Sequence, residues 1–196
     1  MSNQGKRVEY RPRGKELDLV VNQLNRIFQY AYFVEDLVSA AHDWAKISQA
    51  GPFFIAPHHK TEQFEYRGTP VQADVSYAFG YAGACQIQLI QQHDDKNSIY
   101  TDMYTAGTFG FHHIAMLVED YTGEKQRLLN RGIEKSCELY ADGVWASYFD
   151  TRKAIGCYTE LHSITDRIVT TFDRWKNAHD DWDGKSEVIV AHTSGS

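Results

Sequence analysis

The chain has 196 residues, of which 42% are hydrophobic, 13% aromatic and 23% charged, with a net charge of −6. That length can bury a core as one domain or two small ones, and the acidic balance lacks the basic face that a nucleic-acid binder needs. No uninterrupted apolar run approaches the roughly 20 residues of a membrane span, and polar, charged Met1 to Asn25 does not read as a signal peptide.

Residues 1–13, with Lys6, Arg7, Arg11 and Arg13, read as a polar tail. Leu17, Val20, Val21 and Leu24 recur at helical spacing and predict a short helix over Lys15 to Asn25. Ile27 to Val34 reads as the first strand. Asp36 then caps a helix from Leu37 to about Ile47, with Val38, Ala41, Trp44 and Ala45 on its inner face, ended by Gly51-Pro52. Three strands follow, at Phe53 to Ile55, Gln72 to Phe79 and Ala84 to Gln91. Pro57 to Thr69, with His58 and His59, reads as a solvated polar loop, and residues 92–107 as a connector with a helical turn near Ile99 to Tyr104.

The same order then repeats. Phe111 to Val118 is a strand, Tyr121 to Asn130 a helix, and Glu134 to Tyr140, Val144 to Asp150 and Cys157 to Ser163 are strands, with Arg152 and Lys153 in a polar turn. Ile168, Val169, Phe172 and Trp175 place a helix over Thr165 to about Lys176, and 183–196 read as a polar end. The units are therefore 1–25, a tail and short helix; 26–97, a first module; 108–163, a second module; and 164–196, a C-terminal helix and tail. Cys85, Cys137 and Cys157 form an odd set without a CxxC, read as small buried hydrophobes in a cytoplasmic protein.

The repeat is visible in the residues. Gln29-Tyr30-Ala31 with Val34-Glu35-Asp36 matches His113-Ile114-Ala115 with Val118-Glu119-Asp120 at one offset, which sets Gln29 opposite His113. Each half also ends on a strand with a polar residue in an apolar run, Gln88 in one and Glu160 in the other. A carboxylate facing a core is costly unless it is paired or bound to a cation. If two curved half-sheets face each other, Gln29, Gln88, His113 and Glu160 converge in one cleft.

Over about residues 27 to 163 the chain resembles the vicinal oxygen chelate superfamily, also called the glyoxalase/bleomycin-resistance/dioxygenase fold. Gly110-Phe111-His112-His113-Ile114-Ala115 and Gln86-Ile87-Gln88-Leu89-Ile90 look most like methylmalonyl-CoA epimerase and its relatives. The resemblance implies an α+β fold of two tandem βαβββ modules in a curved, cleft-enclosing sheet. It also implies a divalent metal on Gln29, Gln88, His113 and Glu160, and a homodimer. The epimerase has His where this chain has Gln29, a residue common in lactoylglutathione lyases.

One carboxylate with three neutral ligands suits Co, Ni, Mn, Mg or Zn and the stabilisation of a forming enolate. The expected activity is thus an isomerase or epimerase acting beside a carbonyl, on an acyl-CoA or another small carbonyl substrate. The candidate bases are Glu160, Asp74 and His162. Alternatives are a lactoylglutathione-lyase-like isomerase and a metal-free protein that binds a small apolar molecule. An extradiol dioxygenase ranks third, because strand alternation turns His112 away from His113 and leaves one imidazole where that chemistry needs two.

Overall fold

A computed structural model describes residues 26–191; the helix expected over Lys15 to Asn25 and the end of the polar tail lie outside these residues. The elements run in the expected order. They are β1 (Ile27–Phe33), α1 (Leu37–Ser48), β2 (Phe53–Ala56), β3 (Gln63–Tyr66), β4 (Thr69–Pro70), β5 (Val75–Ala82), β6 (Cys85–Gln92) and α2 (Ile99–Met103). After these come β7 (Gly110–Val118), α3 (Tyr121–Asn130), β8 (Lys135–Ala141), β9 (Val144–Phe149), α4 (Arg152–Ile155), β10 (Tyr158–Ser163), α5 (Asp166–Asp180) and β11 (Ile189–Ala191).

The two halves start alike for a chemical reason. The Asp36 carboxylate accepts from the Ser39 amide at 2.7 Å, and the Asp120 carboxylate accepts from the Gly123 amide at 2.9 Å, so the repeated Val-Glu-Asp phrase caps α1 and α3. α1 buries Leu37, Ala41 and Ala45, while Val38, expected on the inner face, is exposed. The helix is rotated so that Leu37 enters the core instead.

The described strands form one curved sheet, in the order β11-β2-β5-β6-β1-β7-β10-β9-β8-β3-β4. β2, β5, β6 and β1 come from the first module and β7, β10, β9 and β8 from the second, joined by antiparallel β1 and β7. This is the α+β fold of two βαβββ modules that the repeat anticipates.

Three features exceed the sequence reading. The stretch read as a polar loop from Pro57 contains β3 and β4, and β3 pairs with β8, Phe64 opposite Leu139. That segment leaves β2 near one end of the sheet and joins β8 near the other, as a strap between the modules. The polar turn with Arg152 is the short helix α4, and the polar C-terminal stretch supplies β11, which pairs with β2. The strands β3 and β11 are ordered by pairing with segments remote in sequence, which local pattern does not carry, whereas α4 is closed by its own local bonds, among them the Gly156 amide to the Arg152 carbonyl.

The convex face packs α1 through Leu37, Ala41, Phe53, Ala78, Ile87 and Leu89. Gly80 on β5 has no room for a side chain, because a Cβ there would lie 2.8 Å from the Phe53 ring. The concave face holds two apolar clusters. One gathers Phe33, Phe64, Tyr77, Ile90, Ile99, Tyr100 and Tyr148 under the strap and α2. The other gathers Phe28, Phe54, Tyr81, Leu117, Val169, Phe172 and Trp175 under α5. Among the described residues no helix is long and apolar enough to cross a membrane.

Candidate functional site

Between the two clusters lies a band of polar side chains, and the register of the central strands explains its place. Ala31 pairs with Gln88 on one side and His113 on the other. In the neighbouring row Ala115 pairs with Gln29 and with Glu160. Each row therefore sets a methyl group between two long polar side chains, which can lean towards one another above it. Ala31 and Ala115 are the residues that match in the sequence repeat, so the duplication supplies both the ligand-type residues and the gap between them.

Gln29, Gln88, His113 and Glu160 are 2%, 5%, 0% and 2% exposed, so solvent does not reach them. The structure brings them together as two pairs. Gln29 Nε2 donates to Gln88 Oε1 at 2.9 Å. His113 Nε2 stands 3.0 Å from Glu160 Oε2, but neither atom has a hydrogen-bond partner. Two buried, unpartnered polar atoms at that distance are a large cost unless something satisfies both.

Electrostatics point the same way. Burial pushes the His113 imidazole down to about 3, so it is neutral. Burial also raises the Glu160 carboxyl above the usual carboxylate range, against smaller lowering effects from His162 and from a hydrogen bond with Tyr148. Among the described residues Glu160 is the only acidic side chain that is buried.

These residues fit a divalent cation. Two ligands about 2.1 Å from a cation and at right angles lie about 3.0 Å apart, and the unpartnered nitrogen and oxygen have that separation. Gln29 and Gln88 add amide oxygens of a kind that hard or borderline cations accept. Among the described residues no three His, Cys, Asp or Glu side chains gather as a ligand group, so the set depends on its amides.

The other expected residues fall elsewhere. Asp74 lies just before β5, 39% exposed in its side chain, with its carboxylate 2.8 Å from His58 Nδ1. Phe79 is the β5 residue level with Gln88, and five residues of strand, about 16 Å, separate that level from Asp74. Asp74 is not brought to the site. His162 lies on the Glu160 face of β10, half-buried against Phe28 and Phe172, with Nδ1 donating to the Ser163 carbonyl at 2.8 Å. His58 and His59 are on the strap, away from the polar band. Arg152 is already held, with Nη2 2.6 Å from Asp150 Oδ2 and 3.4 Å from Asp102 Oδ2.

Sequence reasoning missed two residues. Tyr148, level with Glu160 on β9, acts to lower the pKa of its carboxyl; strand alternation can give a face but not a partner. His112, expected to point away, lies beside His113 with Nδ1 2.8 Å from His113 Nδ1. The cause is a β-bulge: the β1–β7 register steps from Ala31↔His113 to Tyr32↔Phe111, leaving His112 unpaired and turned to the same side. His112 still cannot complete the two-imidazole set of a dioxygenase, because its other nitrogen is 3.0 Å from the Ile99 carbonyl.

Comparison with solved structures agrees with this architecture. Methylmalonyl-CoA epimerase from Mycobacterium tuberculosis is similar at 17% identity and a TM-score of 0.52, over 76% of this chain and 93% of that one. A hypothetical protein from Bacillus halodurans C-125 is similar at 17% identity and 0.51, over 72% and 95%. At such identity the likeness is one of fold. A search among curated proteins gives no match. The sequence model of the Glyoxalase/Bleomycin resistance protein/Dioxygenase superfamily matches residues 28–149, and with the duplicated modules above it the chain belongs to that superfamily.

Proposed function

We propose that the chain is an isomerase or epimerase that moves a proton at the carbon beside a carbonyl, using a divalent cation held by His113, Glu160, Gln29 and Gln88. The reading is carried by one observation, the buried and unpartnered His113 Nε2 and Glu160 Oε2 at 3.0 Å. A cation there supplies a Lewis acid for the carbonyl oxygen, which makes the neighbouring C–H more acidic.

The chain's own side chains do the rest. Glu160 is the acid–base group, serving as ligand and base in turn, and its raised pKa suits it to take a proton and return it. Tyr148, level with it on β9, helps to hold its orientation. The bond from Gln29 to Gln88 holds the two amides beside the reacting centre. His162 acts on Glu160 electrostatically and faces the half-exposed end of β10, a place from which protons can exchange with solvent. Asp74 has no part in this scheme.

The surroundings favour a compact substrate over an acyl-CoA. The strap covers the end of the concave face, and Arg152, the side chain best placed for a phosphate, is already paired with carboxylates. A second reading, a metal-free protein that binds a small apolar molecule, draws on the Gln29–Gln88 bond, which satisfies those two amides without a cation. Elemental analysis of purified protein separates the two. One Co, Ni, Mn, Mg or Zn per chain, lost in His113→Ala and Glu160→Ala, is expected. Wild-type protein should also carry deuterium from solvent into the α-position of a small carbonyl compound. Protein without an ion that still binds its ligand would favour the second reading, and no exchange across a panel of carbonyl compounds would overturn the first.

A further inference from the structure

The bulged residue His112 is fully buried, its ring near-parallel to Tyr158 at 5.1 Å and tilted against Tyr100 at 4.9 Å. Both of its nitrogens are engaged, Nε2 at 3.0 Å from the Ile99 carbonyl and Nδ1 at 2.8 Å from His113 Nδ1. A carbonyl oxygen only accepts, so the proton of that first contact belongs to His112 Nε2. A second proton would leave an imidazolium fully buried with only that carbonyl and another imidazole as hydrogen-bond partners, so the ring is neutral and carries no second proton. Its Nδ1 is therefore bare and accepts. The proton between the two rings then belongs to His113 Nδ1, and a neutral His113 has its lone pair on Nε2, the atom that faces Glu160.

We propose that His112 is a positioning residue, which relays the polarity of the Ile99 carbonyl through two imidazoles and so keeps His113 Nε2 free of its proton. The proposal rests on the reading of His113 as a ligand. It accords with the approach of Nε2 and Glu160 Oε2 without a hydrogen bond, since that tautomer has no N–H to offer a carboxylate. Without His112, His113 is free to move its proton to Nε2 and donate to Glu160. That pair satisfies itself and competes with a cation for both ligands. A second group that fixes a ligating imidazole is a common need of metal sites, and here one strand irregularity provides it.

The direct test is a long-range 1H–15N correlation of the imidazoles in metal-free, 15N-labelled wild-type protein, with His113 assigned by loss of its signals in His113→Gln. Protonation of His113 at Nδ1 and of His112 at Nε2 is expected, and His113 protonated at Nε2 would overturn the proposal without any variant being needed. In His112→Phe the proton should move to His113 Nε2, and Co2+ affinity, read by titration of its visible absorption, should fall about 10- to 100-fold. His112→Asn, whose amide oxygen can accept from His113 Nδ1, should recover part of that loss. An unchanged tautomer in folded His112→Phe would also overturn the proposal. Wild-type protein with the expected tautomer but no Co2+ binding would sink the metal reading and leave the role of His112 standing.

Discussion

His113 and Glu160 respond to pH in opposite senses, because burial disfavours the charged form of each. The His113 pKa is depressed from 6.5 to about 3, so its contribution to stability is full above the unfolded value and is lost as pH falls towards 3. The Glu160 pKa is raised from 4.5, so its contribution is full below that value and is lost as pH rises through the folded one. Metal-free protein should therefore have a denaturation midpoint that peaks between the two limits, measured in urea with a chelator at a series of pH values. Glu160→Gln should remove the alkaline fall and stabilise the metal-free protein by about 1–2 kcal/mol at pH 8, while abolishing proton exchange. A less stable Glu160→Gln under those conditions would show that the carboxylate has a stabilising partner in the metal-free protein. The sequence made Gln29, Gln88, His113 and Glu160 visible, because the repeat and the polar interruptions of apolar strands are local patterns. It could not show His112, because a bulge belongs to the pairing of two strands and alternation assumes there is none.

At the level of elements, the two central strands do their work through what they omit. Ala31 on β1 and Ala115 on β7 keep the space above each row small enough to pack and open enough for long side chains to meet. Ala115→Leu should separate Gln29 from Glu160 and abolish divalent-ion binding, while adding about 1–3 kcal/mol of overpacking cost; Ala115→Gly should keep the ion at reduced stability. Isothermal titration and thermal melts would check this, and full ion binding by Ala115→Leu would mean that the gap is not needed. The helices α1 and α3 were legible because their caps are written in three residues. β3 and β11 were not, since each has three or four residues and is ordered by a strand remote in sequence.

Across the whole molecule, access becomes the controlling question, because the polar band lies between two filled clusters. The strap is held at its turn by Arg67, which pairs with Asp102 at 2.7 Å and also with Glu134, while Tyr158 donates to Asp102 at 2.6 Å. These groups are partly exposed, so each pair is worth little alone, which suits a fastening that must open. Arg67→Ala should speed amide hydrogen exchange over 63–70 and hasten loss of a bound ion to a chelator, with little change in melting temperature. Equal exchange and equal ion loss would mean that entry is from the α5 side instead.

The strap has a second effect at the rim of the sheet. By occupying β8 it leaves the two-residue β4 as one terminal strand, and β11, with three residues, is the other. Among the described residues a foreign strand seeking backbone partners meets stubs at either end, too short to template a ladder. Any self-association of this chain is thereby steered towards its faces, and the open-edged arc is shielded from fibril-like growth by the segment that also roofs its interior.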